Sequence, residues 1–192
     1  MNAATISTVS PTGAMAQAWA RPLQHLSRFD QRALLGLRRW RAPWATTVMR
    51  GLTHSGDAGS WLLVGVLLAC RGRRGRRQAR RLAVATGIAA GVAQLLKHAI
   101  SRPRPSDKLE GFVALAENPD AFSFPSGHAA AAFAAATALG GNGSAVGPVM
   151  ALHALGISLS RVYLGAHYPV DVAAGALLGI GAGLTARAAL DA

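Results

Sequence analysis

Lys97, Arg104, His128, Arg161, His167 and Asp171 are the residue types of an anion site with acid–base capacity, and they fall in three short segments of the chain. The first is Lys97 with Arg104-Pro105, the second Pro125-Ser126-Gly127-His128, and the third Ser160-Arg161 followed by His167 and Asp171. Together they supply what metal-free phosphoryl transfer needs: cations, a helix start, two imidazoles, and a carboxylate four residues after the second imidazole. The in-line transition state of a phosphate ester spreads charge over three equatorial oxygens. Lys97, Arg104 and Arg161 offer three cations for them, and the two guanidinium forks can bind oxygens in pairs.

Each segment also predicts its own local geometry. Pro125 to His128 reads as the start of a helix capped by Ser126, whose unpaired amides favour an anion. Gly127 lets the backbone come close, and the Ser126 hydroxyl adds a donor. Pro169 falls at about the first position of the last helix, which sets His167 just before it and Asp171 in its first turn. A carboxylate there can hold one ring nitrogen as N–H and leave the other free to attack. Taken singly the segments have plainer readings: basic side chains snorkelling into headgroups, a cap beside a structural histidine, a capping aspartate beside a loop histidine. Their combination outweighs these.

The order Lys-x6-Arg-Pro, Pro-Ser-Gly-His and Ser-Arg-x5-His-x3-Asp resembles the three-part signature of the type 2 phosphatidic acid phosphatase superfamily, with no position departing from it. The resemblance implies that His167 is the nucleophile forming a phosphohistidine, that Asp171 orients it, and that His128 protonates the departing oxygen. It implies that Lys97, Arg104, Ser126, Gly127 and Arg161 bind the phosphoryl oxygens, with no metal and no cofactor. The sequence has no cluster of acids placed to hold Mg²⁺. The implied substrate is a lipid-linked phosphate: undecaprenyl diphosphate first, phosphatidic acid or phosphatidylglycerophosphate next, then a lipid A or polyprenyl-phosphosugar phosphate. The family also includes phosphotransferases and soluble vanadium-dependent haloperoxidases, and apolar spans argue against the latter. A non-catalytic binder of lipid phosphate headgroups would need no oriented histidine.

The elements that must position these residues read as membrane helices. Of 192 residues, 51% are hydrophobic and only 15% charged, rich for a soluble chain of this size. The expected fold is an all-α integral membrane bundle of about five spanning helices, near 58–70, 82–100, 126–140, 145–162 and 170–188. An N-terminal region of interfacial helices, 21–56, precedes them, with Trp40 and Trp44 at headgroup level. Residues 1–20 read as a disordered tail rather than a signal peptide, and 21–192 as a single domain. Gly87 with Gly91, and Gly175 with Gly179 and Gly183, are spaced for close helix contact. His153, inside a span, suggests a helix-to-helix hydrogen bond, and Asp57 a helix cap. The lone Cys70 has no partner.

Five spans put the loops 101–125 and 163–169 on one membrane face, so the three segments meet there. The formal charge is +12, and seven arginines crowd positions 71–81. No aromatic residue interleaves them to stack bases, which argues against nucleic acid. They read instead as a cytoplasmic loop able to meet anionic lipid. The site then faces the extracytoplasmic side of a bacterial inner membrane, although the N-terminal region adds seven arginines to the opposite vote.

Overall fold

The computed structural model describes residues 27–37, 39–116, 120–140 and 146–191. Eight helices appear among them: α1 over residues 27–37, α2 Pro43–Ser55, α3 Ala58–Ala69, α4 Gly72–Ile100, α5 Pro105–Lys108, α6 Gly127–Leu139, α7 Val146–Tyr163 and α8 Pro169–Asp191. The described residues form no strand beyond an isolated antiparallel bridge between Pro103 and Phe122 in the long loop. The expected tail at 1–20 lies outside the described residues, as does most of the turn before α7.

The small side chains of α6 make it the centre of the bundle. Ala129, Ala130, Ala132, Ala134, Ala135 and Ala138 are fully buried, and α4, α7 and α8 all pack around them. The tightest approach is from α8. A Cβ added at Gly175 would stand 2.4 Å from the Ser126 carbonyl oxygen, one at Gly179 2.3 Å from that of Ala130, and one at Gly183 2.5 Å from Thr137 Cβ. Three glycines one turn apart thus let α8 lie directly on the backbone of α6. On the other flank, Ala85 and Ala89 of α4 join Ala130, Ala134, Ala182 and Ala186 in one buried cluster. Trp61 and Leu82 pack with Ala132, Ala135 and Ile157 in a second.

Two readings of the sequence change here. The arginine run 71–81 is helical rather than a loop. Only a turn at Cys70 and Arg71 separates α3 from α4, whose 29 residues make a rod of about 44 Å against a hydrocarbon thickness of about 30 Å. Its arginine-bearing turns therefore extend past the apolar stretch. Gly87 and Gly91 also fail to make the expected helix contact, since a Cβ at either would meet nothing within 4 Å. Alanines 85, 89 and 93 form the packed face of α4 instead.

Helices α4 and α8 are long and apolar enough to cross a bilayer, while α3 and α6 are apolar but shorter. Leu62, Leu67, Leu95, Leu152, Leu155, Leu177 and Leu184 are exposed on the outside of the bundle, the surface a hydrocarbon solvent would cover. Trp40 and Trp44 are exposed on either side of the start of α2. The N-terminal helices are held to the bundle by polar contacts. Ser55 Oγ of α2 hydrogen-bonds His153 Nε2 of α7 at 2.8 Å, the helix-to-helix bond expected of that histidine.

The two kinds of glycine give a direct comparison. Gly179→Ala should destabilise the protein by about 1–3 kcal/mol, because backbone on α6 cannot yield to the new methyl. Gly87→Ala should be neutral or stabilising by up to about 1 kcal/mol from helix propensity. Thermal unfolding midpoints of the two variants in detergent measure the difference.

Candidate active site

The α6–α8 contact fixes the starts of both helices against each other. The Ser126 amide donates to the Asp171 carbonyl at 2.9 Å, and the Ser126 hydroxyl accepts from the Ala129 amide at 3.5 Å as the cap of α6. His128 follows within the first turn. The third segment arrives from the end of α7, where Arg161 is buried and donates to Thr53 Oγ1 of α2 at 2.7 Å. The chain then turns through Gly165 at φ +80, where an added Cβ would stand 2.7 Å from the Phe112 ring. The amides of Ala166 and His167 both return to the Arg161 carbonyl, at 3.0 and 3.3 Å. His167 is thereby set two residues before the start of α8.

His167 is 2% exposed, and its Nδ1 lies 2.7 Å from the Ser123 carbonyl oxygen. A carbonyl can only accept, so Nδ1 carries the proton and Nε2 holds the free lone pair. Burial, followed by the charges of Arg161, Arg104 and Lys97, pushes His167 well below its ordinary value of 6.5, outweighing the Ser123 carbonyl. The ring is neutral at physiological pH. Asp171, expected to hold the ring directly, has Oδ2 3.9 Å from Nδ1. Its carboxylate is engaged elsewhere, with Oδ2 accepting the Tyr168 amide at 2.9 Å and Oδ1 paired with Arg102. The Ser123 carbonyl makes the direct bond, and Asp171 sits behind the ring as fixed negative charge.

That fixed charge has its own supports. Arg102 spans Asp171 and Asp30, the latter through Nη2 to Oδ2 at 2.6 Å, and lies over the Tyr168 ring at 4.4 Å. Asp30 is fully buried and also accepts the Val170 amide at 3.0 Å. Burial lowers the Arg102 guanidinium, but the two carboxylates outweigh it and hold it above its usual range. Helix α1 thus reaches the supports of the site.

Lys97 and Arg104 converge on one carboxylate. Lys97 Nζ lies 2.6 Å from Asp120 Oδ2 and Arg104 Nη2 2.7 Å from Oδ1. Burial alone would raise the Asp120 carboxyl, yet its bonds to Lys97 and Arg104 hold it below the usual range. Arg104 is further fixed by the carbonyls of Asp120, at 2.9 Å, and Ala166, at 2.8 Å. His128 Nε2 donates to Asp57 Oδ1 at 2.8 Å, at the α2–α3 corner.

A cavity of about 1020 Å³ brings Lys97, Arg104, Gly127, His128, Arg161 and His167 together at one end. From there it continues between α3 and α4, past Trp61, Leu62 and Val66 on one side and Ala90, Gly87 and Ala83 on the other, as far as Arg80. Six of the eight expected site residues therefore line one space. Ser126 and Asp171 are fully buried behind it, one as cap and one as support. Among the described residues, no three His, Cys, Asp or Glu side chains converge as a metal site would require.

Sequence reasoning missed Asp30, Thr53, Asp57, Ser123 and Asp120, and it placed Arg102 at the site without a role. Asp30 had a signal, a single acid in an arginine-rich interfacial helix, and Asp120 another, an acid in the long loop between two motif segments. Thr53, which acts through a hydroxyl, and Ser123, which acts through a backbone carbonyl, carry no such mark.

Comparison with known proteins identifies the family. Residues 78–191 match the PAP2 superfamily. The chain is 34% identical over 138 residues to a decaprenylphosphoryl-5-phosphoribose phosphatase of Mycobacterium tuberculosis, covering 71% of this chain and 76% of that protein. It is 32% identical over 120 residues to an undecaprenyl-diphosphatase of Sulfolobus acidocaldarius, covering 62% and 58%. The fold is similar to that of a PAP2-type phosphatidylglycerolphosphate phosphatase from Bacillus subtilis, with a TM-score of 0.77 at 24% identity over 87% of each chain. It is also similar to Aquifex aeolicus LpxE, with a TM-score of 0.74 at 26% identity over 82% of this chain and 94% of that one. The matched stretch holds all three motif segments and more than half of the residues, so this chain belongs to the PAP2 superfamily and is a phosphate-ester hydrolase of its lipid-phosphatase kind.

Proposed function

We propose that this protein hydrolyses a polyprenyl-linked phosphate or diphosphate at the membrane surface through a phosphohistidine on His167. The observation that carries this reading is the continuity of the cavity: cations and histidines lie at one end of an apolar groove that follows α4 from Lys97 to Arg80. The 17 residue steps of helix between them correspond to about 25 Å, most of a bilayer's hydrocarbon thickness. A phosphate headgroup held at the cations leaves its chain in the groove. Undecaprenyl diphosphate is the first candidate. The names of the Mycobacterium and Sulfolobus relatives, both polyprenyl-linked, support the chain class, and phosphatidic acid and phosphatidylglycerophosphate come next.

In this mechanism Lys97, Arg104 and Arg161, with the amides at Gly127, hold the phosphoryl oxygens. His167 Nε2 attacks phosphorus, the bond to the lipid-side oxygen breaks, and His128 gives that oxygen its proton. Water then attacks the phosphohistidine, returning a proton to His128 and releasing phosphate. Asp171, through its charge 3.9 Å from Nδ1, stabilises the ring as it becomes positive. The helices α3, α4, α6, α7 and α8 act as a single membrane domain of five spans with α1 and α2 at the interface. The arginine-bearing start of α4 lies at the end of the groove away from the site, which suits a cytoplasmic start and an extracytoplasmic site.

Purified protein in detergent, with chelator present, should release phosphate from undecaprenyl diphosphate faster than from phosphatidic acid. His167→Ala should lose at least about 10³-fold in kcat. Activity that vanished in chelator would overturn the metal-free mechanism, and no release by folded wild type would overturn the hydrolase reading of the site. Because His167 is held below 6.5, its neutral form persists as pH falls through that value. The plot of kcat/KM against pH should show no loss from this group until the pH drops further.

Asp120 occupies the seat between Lys97 and Arg104 that a phosphoryl group must enter or share. Arg104 keeps its two carbonyl contacts without it. Asp120→Asn should therefore tighten inhibition by orthovanadate about two- to fivefold, measured as the shift in the inhibition constant.

A further inference from the structure

The proposed mechanism brings His128 to the transition state carrying a proton, in a cavity it shares with Lys97, Arg104 and Arg161. Three cations disfavour a fourth positive charge, so an acid in this position needs a carboxylate beside it. The motif segments offer none, because Asp171 is committed to Arg102 and the Tyr168 amide. We propose that Asp57, at the α2–α3 corner and outside all three motifs, is the positioning residue of the leaving-group acid His128, holding its ring by a charge-assisted hydrogen bond.

Three observations on that corner support the assignment. Asp57 stands at the N-cap of α3 with extended backbone, where an aspartate side chain ordinarily bonds the first free amides, yet its carboxylate makes no cap bond. It turns instead to His128, with Oδ1 2.8 Å from Nε2. Its second oxygen is held by His54 Nδ1 at 3.1 Å, so both oxygens are fixed by imidazoles. The backbone around it is also anchored. The Asp57 amide donates to the His54 carbonyl at 3.1 Å, the Asp57 carbonyl accepts from Ser60 and Trp61 at 3.0 and 3.3 Å, and the Trp61 indole donates to the Gly56 carbonyl at 3.1 Å.

The chemistry is balanced with this one group added. As the phosphorus–oxygen bond to the lipid breaks, its electron pair stays on the departing oxygen, which takes the proton from His128. Asp57 keeps one ring nitrogen occupied and leaves the other for that transfer. The ring stays in place to accept the proton of the water that cleaves the phosphohistidine. The inference rests on the reading of His128 as the acid, and the test separates the two.

The full-length protein in detergent is assayed on dodecyl phosphate, whose alkoxide cannot leave without a proton, and on p-nitrophenyl phosphate, whose phenolate can. On kcat/KM, which reads the steps up to the phosphohistidine and not the water step that both substrates share, Asp57→Asn should lose about 30-fold or more with dodecyl phosphate and less than about threefold with p-nitrophenyl phosphate. Asp57→Glu, which keeps the charge, should recover part of the loss, and His128→Ala should show the same selective loss as Asp57→Asn but larger. If His128→Ala is selective and Asp57→Asn is unchanged, or loses both substrates equally, Asp57 has no such role. If His128→Ala itself loses both equally, the acid reading fails and the inference falls with it. A Glu variant no better than Asn at the same thermal midpoint also overturns it.

Discussion

The approach of α8 to the backbone of α6 is the constraint on which the site depends. Gly175 and Gly179 set α8 against the carbonyl oxygens of Ser126 and Ala130, and Gly183 sets it against the Thr137 side chain, so neither helix can slide or rotate without steric collision. Both helices begin at the same end of this seam, and the Ser126 amide is tied to the Asp171 carbonyl there. His128 rides on one start and His167 precedes the other. Two histidines 39 positions apart in sequence are in this way placed by alanine and glycine, residues with no chemistry of their own.

Electrostatics explains where the rare acids went. The chain has eight Asp and Glu against twenty Lys and Arg, and Asp30, Asp57, Asp120 and Asp171 all belong to the network of the site. Buried cations repel one another and cost much to desolvate when unpaired. The groups the site must hold still are therefore tied to oxygens: Arg102 to Asp30 and Asp171, Lys97 to Asp120, Arg104 to Asp120 and the Ala166 carbonyl, Arg161 to the Thr53 hydroxyl, His128 to Asp57. Around the motif end of the cavity itself, Lys97, Arg104 and Arg161 outnumber Asp57 and Asp120 by one, because Asp30, Arg102 and Asp171 lie behind the lining.

The helical class, the α6 cap at Ser126 and the position of Asp171 in the first turn of α8 were legible because capping chemistry and proline placement are local. The glycine face of α8 was legible for the same reason of spacing. The same spacing at Gly87 and Gly91 misled, because a small-residue stripe fits an open groove as well as a helix contact, and only the neighbour decides. Charge alone makes the arginine run read as a loop, yet arginine is a good helix former, and α4 simply continues past the apolar stretch. The direct partner of His167 was out of reach of any reading of side chains, since the Ser123 carbonyl is common to every residue type. Asp57 was read as a cap, which its backbone is and its carboxylate is not.

Three of these supports lie upstream of the stretch that matches the family, which begins at residue 78. Asp30 reaches Asp171 through Arg102, Thr53 holds Arg161, and Asp57 holds His128. The family stretch is therefore not a transplantable catalytic module. A chimera that grafted residues 78–191 onto a foreign N-terminal hairpin would preserve every motif residue while leaving an arginine, an imidazole and a buried carboxylate without the side chains that aim them.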